Sequence, residues 1–264
     1  GGYKAGQYVG GNYNYAGGYE AGRSVSGNNN IAFGYNAGQN ISAHNTISIG
    51  TSALATLEGG VAIGQNSSNT ATNGTAVGSG SSVEGAGSTA YGSNSQAKTN
   101  DTAIGYNARA TADGAVVIGA NSSTAATNSV AVGADATVNA TGTGGTAVGQ
   151  NAQVQAGASD SVALGRNSVA SEADTVSVGS SGSERRVTNV AAAVNGTDAV
   201  NLNQMNSAID SLDSNLAGRI DGLDLRLDEV GAMAAAMSAM NAGPRAMGRT
   251  QVSIGMGNYR GENA

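Results

Sequence analysis

The dominant feature of this sequence is a short motif that recurs over most of its first 182 residues. Each copy ends in a glycine, and these glycines are Gly34, Gly50, Gly64, Gly78, Gly92, Gly105, Gly119, Gly133, Gly149, Gly165 and Gly179. Consecutive glycines are 13 to 16 residues apart, most often 14. A fixed short period is typical of solenoid proteins, in which each repeat packs mainly against its two neighbours.

Large and small residues alternate within each copy. A large apolar residue precedes the glycine, a β-branched residue stands two positions earlier, and a small residue, usually Ala, lies between them. This period of two predicts a short strand. A weaker strand follows, as in NSQA at 94 or NAQV at 151, and then a turn such as TNG at 72 or ADG at 112. Two strands and two turns in about 14 residues predict one coil of a parallel β-solenoid.

Such a coil is thin, and it has little apolar area with which to offset the entropy of ordering its backbone. We expect a row of Val and Ile side chains to fill its interior. We expect the row of Ala residues to pack against other chains, since a second buried face is needed.

Composition excludes several classes of protein. The formal net charge is −6 without a cluster of Lys or Arg, which argues against nucleic-acid binding. Cysteine is absent, so disulfides and cysteine-ligated zinc are excluded. The sequence starts without Met or an apolar signal segment, and we expect it to be a fragment of a longer precursor.

The pattern changes at Ser183. Residues 183–206 do not repeat and have the character of a junction, with an arginine pair, Arg185 and Arg186, that we expect to find structural partners. The next segment has the alternating three- and four-residue spacing of a coiled-coil seam. Its members are Leu202, Met205, Ile209, Leu212, Leu216, Ile220, Leu223, Leu227, Val230, Ala234 and Met237. The helix should end at GPR, residues 243–245, and QVSIGMGNY at 251–259 is predicted as a strand.

These motifs resemble the YadA-like trimeric autotransporter adhesins of Gram-negative bacteria. The SVAVG and TAIG copies are similar to that family's head repeats, and VTNVAAAVNGTDAVNLNQMN, above all TDAVNLNQ at 197–204, is similar to its neck. GRTQVSIGMGNYRGENA at 248–264 resembles the start of the C-terminal membrane anchor, of which only the first strand is present.

The resemblance implies a mainly β, homotrimeric protein. Residues 1–182 would form a left-handed parallel β-roll head with atypical Tyr- and Gly-rich coils over 1–30, and 183–206 a neck. Residues 207–242 would form a trimeric coiled-coil stalk and pore helix, and 243–264 a truncated start of an outer-membrane β-barrel anchor. By resemblance, the protein passes through the periplasm, translocates itself through its anchor and is held at the cell surface. There it binds host matrix, host cell-surface molecules or like adhesins on other cells.

Candidate binding residues are confined to the first coils. Six of nine tyrosines fall within the first 35 residues, and Tyr8, Tyr13 and Tyr15 are the predicted ligand contacts. Tyrosine offers large contact area at low entropic cost. The alternative is that these rings fill atypical terminal coils.

The sequence predicts neither an enzyme nor a cofactor or metal site. His44 is the single histidine and has no evident catalytic partner. Asp101, Asp113, Asp160 and Asp174 precede strands, where Asx turns explain them. Two alternatives to an adhesin stay open, a structural solenoid such as an ice-binding protein and, with less support, a β-helical enzyme acting on polysaccharide.

Overall fold

A computed structural model describes residues 1–240, 248, 254–256, 258–259 and 262–263. The chain divides into two units, Gly1–Arg185 and Arg186–Ala264. The first is a solenoid of two parallel sheets, and the second contains a long helix. This confirms the predicted parallel β-solenoid followed by a helix.

The first sheet takes one short strand from almost every coil, and all of these strands except the first, Tyr15–Gly17, lie at positions predicted from the repeat. Within residues 1–185 its strands are β1 (Tyr15–Gly17), β2 (Ile31–Phe33), β3 (Ile47–Ile49), β5 (Val61–Ile63), β7 (Thr75–Val77), β9 (Thr89–Tyr91), β11 (Thr102–Ile104), β13 (Val116–Ile118), β15 (Val130–Val132), β17 (Thr146–Val148), β19 (Val162–Leu164) and β21 (Val176–Ser177). They pair in this order, all in parallel, so that equivalent residues of successive coils lie side by side.

The second sheet takes the shorter strand that follows each repeat glycine. Its strands are β4 (Leu54–Ala55), β6 (Ser68–Asn69), β8 (Ser82–Val83), β10 (Gln96–Ala97), β12 (Arg109–Ala110), β14 (Ser123–Thr124), β16 (Thr137–Val138), β18 (Gln153–Val154) and β20 (Val169–Ala170). The two predicted examples, NSQA at 94 and NAQV at 151, contain β10 and β18. The second residue of each of these strands points inward and is buried.

The interior is filled by small residues, and here the sequence-based expectation was wrong. The middle residues of the first sheet, such as Ala62, Ala76 and Ala90, are fully buried between the sheets. Their larger neighbours point outward, and Phe33 is 55% and Ile104 38% exposed. The row is closely packed, since a Cβ added to Gly38 would lie only 2.8 Å from the Cβ of Ala32. Val117, the middle residue of β13, is the larger residue that this row holds.

Serine hydroxyls inside the coils bond to the backbone of the repeat glycines. Ser81 donates to the carbonyl oxygen of Gly78 over 2.9 Å, and Ser122 donates to that of Gly119 over 2.7 Å. Buried hydroxyls that are hydrogen-bonded in this way carry little desolvation penalty. A polar, small-residue composition is therefore compatible with an ordered core.

The repeat glycine is required by both its backbone angle and its surroundings. Gly105 has φ +137°, and a Cβ on it would lie 2.5 Å from the carbonyl oxygen of Gly119 in the next coil. An L-residue would meet backbone strain and a backbone clash together. The same two constraints apply at the other repeat glycines from Gly34 to Gly149.

The second unit contains helix α1 (Leu202–Ala239), which includes the whole predicted seam. It begins at Leu202 because Asn201 is its N-cap, whose side chain accepts from the backbone N–H of Gln204. The predicted helix stop at 243–245 lies outside the described residues. So does part of the predicted strand 251–259, of which Asn258–Tyr259 forms β22, paired antiparallel with β23 (Glu262–Asn263).

Candidate functional site

The outward side of the first sheet, which we name the apolar face, is an unpartnered surface of the solenoid. It consists of two columns, the first and third residues of each strand. The columns are Ile31, Ile47, Val61, Thr75, Thr89, Thr102, Val116, Val130, Thr146 and Val162, and Phe33, Ile49, Ile63, Val77, Tyr91, Ile104, Ile118, Val132, Val148 and Leu164. All are half-buried or exposed in the single chain. Contiguous apolar surface of this extent marks an interaction site.

Helix α1 has an apolar seam that is more exposed than the apolar face. Leu212, Leu223 and Met237 are among its most exposed members, and the remaining large seam residues are at least half exposed. Gly218 and Gly222 lie within the same helix and weaken it as an isolated element. A helix of this kind depends on partner helices for its stability.

The six N-terminal tyrosines separate into two groups. Tyr3, Tyr19 and Tyr35 occupy equivalent places in successive coils and stack, with ring centroids 5.3 and 5.0 Å apart. Lys4 lies over the outer ring of this stack and also pairs with Glu20. These three rings therefore have a structural role in the first coils.

The predicted contact residues form the second group and are exposed in the single chain. Tyr8 and Tyr13 lie outside the strands, whereas Tyr15 is the first residue of β1, in register with Ile31, and so lies on the apolar face. Tyr8 is 71%, Tyr13 89% and Tyr15 68% exposed. Tyr8 and Tyr13 also have left-handed backbone angles, φ 62° and 57°. The equivalent residues of the following two coils have the same left-handed backbone; they are Ser24 and Asn40 for Tyr8, and Asn29 and Asn45 for Tyr13. Asparagine adopts this conformation more readily than tyrosine does. Bulky residues in this conformation are unusual and are enriched at functional sites.

His44 and its neighbours form a structural link between coils. The His44 Nδ1 accepts from the backbone N–H of Asn28 over 2.9 Å. The backbone N–H of His44 donates to the Glu58 carboxylate over 3.2 Å. Among the residues that the structure describes, no group of three or more His, Cys, Asp or Glu side chains is placed to hold a metal ion.

The aspartates singled out from sequence occupy two environments. Asp113, Asp160 and Asp174 lie in turns as predicted, the last two with left-handed backbone angles. Asp101 does not fit the turn explanation, because it lies inside the coil and is 1% exposed. Its carboxylate accepts from the backbone N–H groups of Ala115 and Lys98, yet burial dominates and raises its pKa.

Arg185 finds the structural partners that we expected. Its guanidinium donates to the backbone carbonyl oxygens of Arg166 and Val178 in the last coils. In earlier coils such carbonyls accept from the backbone N–H groups of the next coil, as Gln150 accepts from Asn167. Arg185 therefore replaces donors of a further coil and caps the solenoid.

The TDAVNLNQ stretch ties the loop before α1 to the start of that helix. The Gln204 side chain bonds both backbone groups of Ala193, donating over 3.0 Å and accepting over 2.7 Å. Asn201 donates to the Val190 carbonyl over 3.2 Å. Asp198 accepts from the N–H groups of Val194 and Asn195, which lowers its pKa. The sequence indicated this motif only by resemblance, because these contacts have no periodic signal.

Two family models match the chain. One, described as the YadA head domain repeat, matches residues 42–67, 70–95, 97–122, 110–136, 125–152, 140–159 and 156–181. The other, described as the coiled stalk of trimeric autotransporter adhesin, matches 186–224. No curated protein matches the chain. None of the described helical residues forms an apolar run long enough to cross a membrane.

One solved structure extends the comparison to three dimensions. It is the crystal structure of the collagen-binding domain of the Yersinia adhesin YadA, with 32% sequence identity and a TM-score of 0.52. The alignment covers 66% of this chain and 87% of that domain.

Proposed function

Because the chain belongs to the family of YadA-like trimeric autotransporter adhesins, we propose that it acts as a non-enzymatic, homotrimeric adhesin on the surface of a Gram-negative bacterium. The observation that carries this proposal is the apolar face of the solenoid. It runs over consecutive coils and has no partner within the described chain. Three copies that pack these faces together would remove the surface from water.

The helix supports the same assembly. The seam of α1 is exposed in the single chain, and three parallel helices would bury it. Trimerisation accounts for both surfaces with a single symmetry. A monomeric solenoid such as an ice-binding protein leaves both unexplained, and only the Thr75, Thr89 and Thr102 row resembles a threonine-based ice surface.

We assign adhesion to the head, residues 1–182. The similar Yersinia domain is described as collagen-binding, which supports host matrix as the class of ligand, with host cell-surface molecules or like adhesins on other cells as alternatives. Tyr8, Tyr13 and Tyr15 are the proposed contacts, since all three are exposed in the single chain and Tyr8 and Tyr13 lie outside the strands that form the apolar face; Tyr15, on the first strand of that face, would lie at its end. Three chains and many copies per cell would multiply weak contacts.

The remaining segments complete the proposed assignment. Residues 183–206 would act as the neck, 207–242 as the stalk and pore helix, and 243–264 as the start of an outer-membrane anchor. Through that anchor the protein would be exported from the periplasm and held at the surface.

The adhesion test compares the wild-type protein with a triple variant, Tyr8→Ser, Tyr13→Ser and Tyr15→Ser. Binding to immobilised matrix protein and to host cells should be lost, while the circular dichroism stays unchanged. Tyr106→Ser is the control, because Tyr106 is also exposed, at 58%, but lies on a later coil. Unchanged binding by the triple variant would remove these residues from the proposed site.

A further inference from the structure

A second surface of the solenoid has the geometry of a binding groove. It lies on the outward side of the second sheet, over β12, β14, β16 and β18, and is an open depression of about 790 Å³. Ligand sites commonly have volumes of roughly 300–1,000 Å³. The side chains that line it include Arg109, Thr111, Thr137, Asn139, Gln153 and Gln155.

The groove arises from a change of repeat length. The loops that follow β12 and β14, residues 111–115 and 125–129, have five residues each, whereas those after β16 and β18, residues 139–145 and 155–161, have seven. The longer loops are braced against each other, because Thr141 Oγ1 accepts from the backbone N–H of Gly157 over 2.9 Å. Ser159 Oγ donates to the Thr141 carbonyl over 3.3 Å. Asn139 and Gln155 lie at the start of these braced loops, at one side of the groove.

The lining has a defined hydrogen-bonding chemistry. Within the described chain, the side chains of Arg109, Thr137, Asn139 and Gln155 bond to no other protein group, and no carboxylate lines the groove. Amide and hydroxyl groups both donate and accept hydrogen bonds, as sugar hydroxyls do. The Arg109 guanidinium adds one cation, whose fork geometry matches a carboxylate. Val138 and Val154, the large apolar side chains at the groove, point into the core.

We propose that this groove binds an acidic oligosaccharide, with its carboxylate on Arg109 and its hydroxyls on the surrounding amides and hydroxyls. The inference rests on the proposed adhesin function. In a trimer built on the apolar face, the second sheet lies on the opposite side of each solenoid and stays open to solvent. Each trimer would therefore present three equivalent grooves.

The test is isothermal titration calorimetry, in which a tetrasaccharide of alternating uronic acid and N-acetylhexosamine is titrated into the 264-residue chain. Arg109→Gln should weaken binding about tenfold, the effect of losing one charge-assisted pair. Gln155→Ala should weaken it by a smaller factor. Arg166→Gln is the matched control, since Arg166 is exposed and lies outside the groove, and it should bind within about twofold of wild type.

Two further ligands separate glycan recognition from charge alone. The same tetrasaccharide with its carboxylates reduced to alcohols should bind about tenfold more weakly. A tetraglutamate peptide should bind no better than this neutral sugar. Equal binding by wild type and Arg109→Gln, or tighter binding of the peptide than of the acidic sugar, would overturn the proposal. Adhesion to matrix and the threefold mass are measured on the same samples, so a failed groove assignment is distinguishable from a failed adhesin assignment.

Discussion

Oδ1 of Asp101 accepts a 2.8 Å hydrogen bond from the backbone N–H of Ala115, which belongs to the next coil. The equivalent residue of the preceding coil is Ser88, whose Oγ accepts from the N–H of Asp101 over 3.1 Å. The same place is thus filled by a neutral hydroxyl in one coil and by a buried carboxylate in the next.

Asp101→Ser should stabilise the solenoid at neutral pH. Burial raises the folded-state pKa of this carboxyl above its ordinary 3.8, so the ionised form is disfavoured in the folded protein. The contribution of the Asp101 carboxyl to the stability of the fold is present at low pH and is lost as the pH rises through the raised pKa. A serine at position 101 can donate to the Lys98 carbonyl, as Ser129 donates to the Ala126 carbonyl. It can also accept from the Ala115 N–H, as Ser88 accepts from the Asp101 N–H.

Urea unfolding between pH 3 and 8 measures this effect. We expect the free energy of unfolding of the variant to exceed that of the wild type by on the order of 1 kcal/mol at pH 7, which is comparable to one net hydrogen bond. The difference should be smaller at pH 3. Glu172→Gln, at an exposed position, controls for the loss of one carboxyl. A variant that is less stable than wild type at pH 7 would contradict the assigned cost of burying Asp101.

Gly105→Ala should destabilise the solenoid by at least about 2 kcal/mol, since the Cβ meets both left-handed strain and a backbone carbonyl. Gly157→Ala separates the two causes. Gly157 has φ +82° and open space around its Cβ position, so only the conformational cost of about 1 kcal/mol applies. In thermal unfolding monitored by circular dichroism, the Tm of Gly105→Ala should lie well below that of Gly157→Ala. Equal loss in both would show that the close approach of adjacent coils has no energetic consequence.

Gln204→Ala should loosen the loop before α1, because it removes both hydrogen bonds to Ala193. Loss of these bonds should cost about 1–2 kcal/mol locally. Hydrogen exchange at the Ala193 amide should accelerate, whereas amides of the solenoid should not change. Asn203→Ala, one residue earlier on an exposed position, should leave the Ala193 rate unaltered. Equal exchange rates in both variants would show that the Gln204 contacts do not hold the loop.

Ile104→Lys should break the proposed assembly without unfolding the single solenoid. Ile104 lies on the apolar face, where a trimer would bring three added cations together without partners. Ser82→Lys places the same charge on the opposite sheet and should preserve the trimer. Sedimentation velocity distinguishes the two, and an intact Ile104→Lys trimer would place the interface elsewhere.

The repeat carried enough information to locate the strands but not to orient them. The alternation of Val61, Ala62 and Ile63 looks the same whichever face is buried. Its orientation depends on the distance between the two sheets, which favours the small residues that occupy the middle position of these strands, with Val117 as the exception. The bulkier columns, expected inside, instead form the outer surface of the single chain.

The site was harder to predict than the fold. Asp101 could have been recognised as a buried residue by aligning it with Ser88 and Asn30, which directly precede the same strand in other coils. Arg185 and Gln204 bond to backbone groups through contacts that do not repeat, and therefore have no periodic signal. The groove beside Arg109 depends on two consecutive longer coils, a feature visible in the glycine spacing but interpretable only in three dimensions.

The central claim is that the apolar face and the helix seam are covered by two further copies of this chain. Light scattering of the full chain at micromolar and at high nanomolar concentration tests it most directly. We predict a mass of three times 25.6 kDa at both concentrations. A folded species of 25.6 kDa would contradict the trimer, because the apolar face would then be stable in water without a partner.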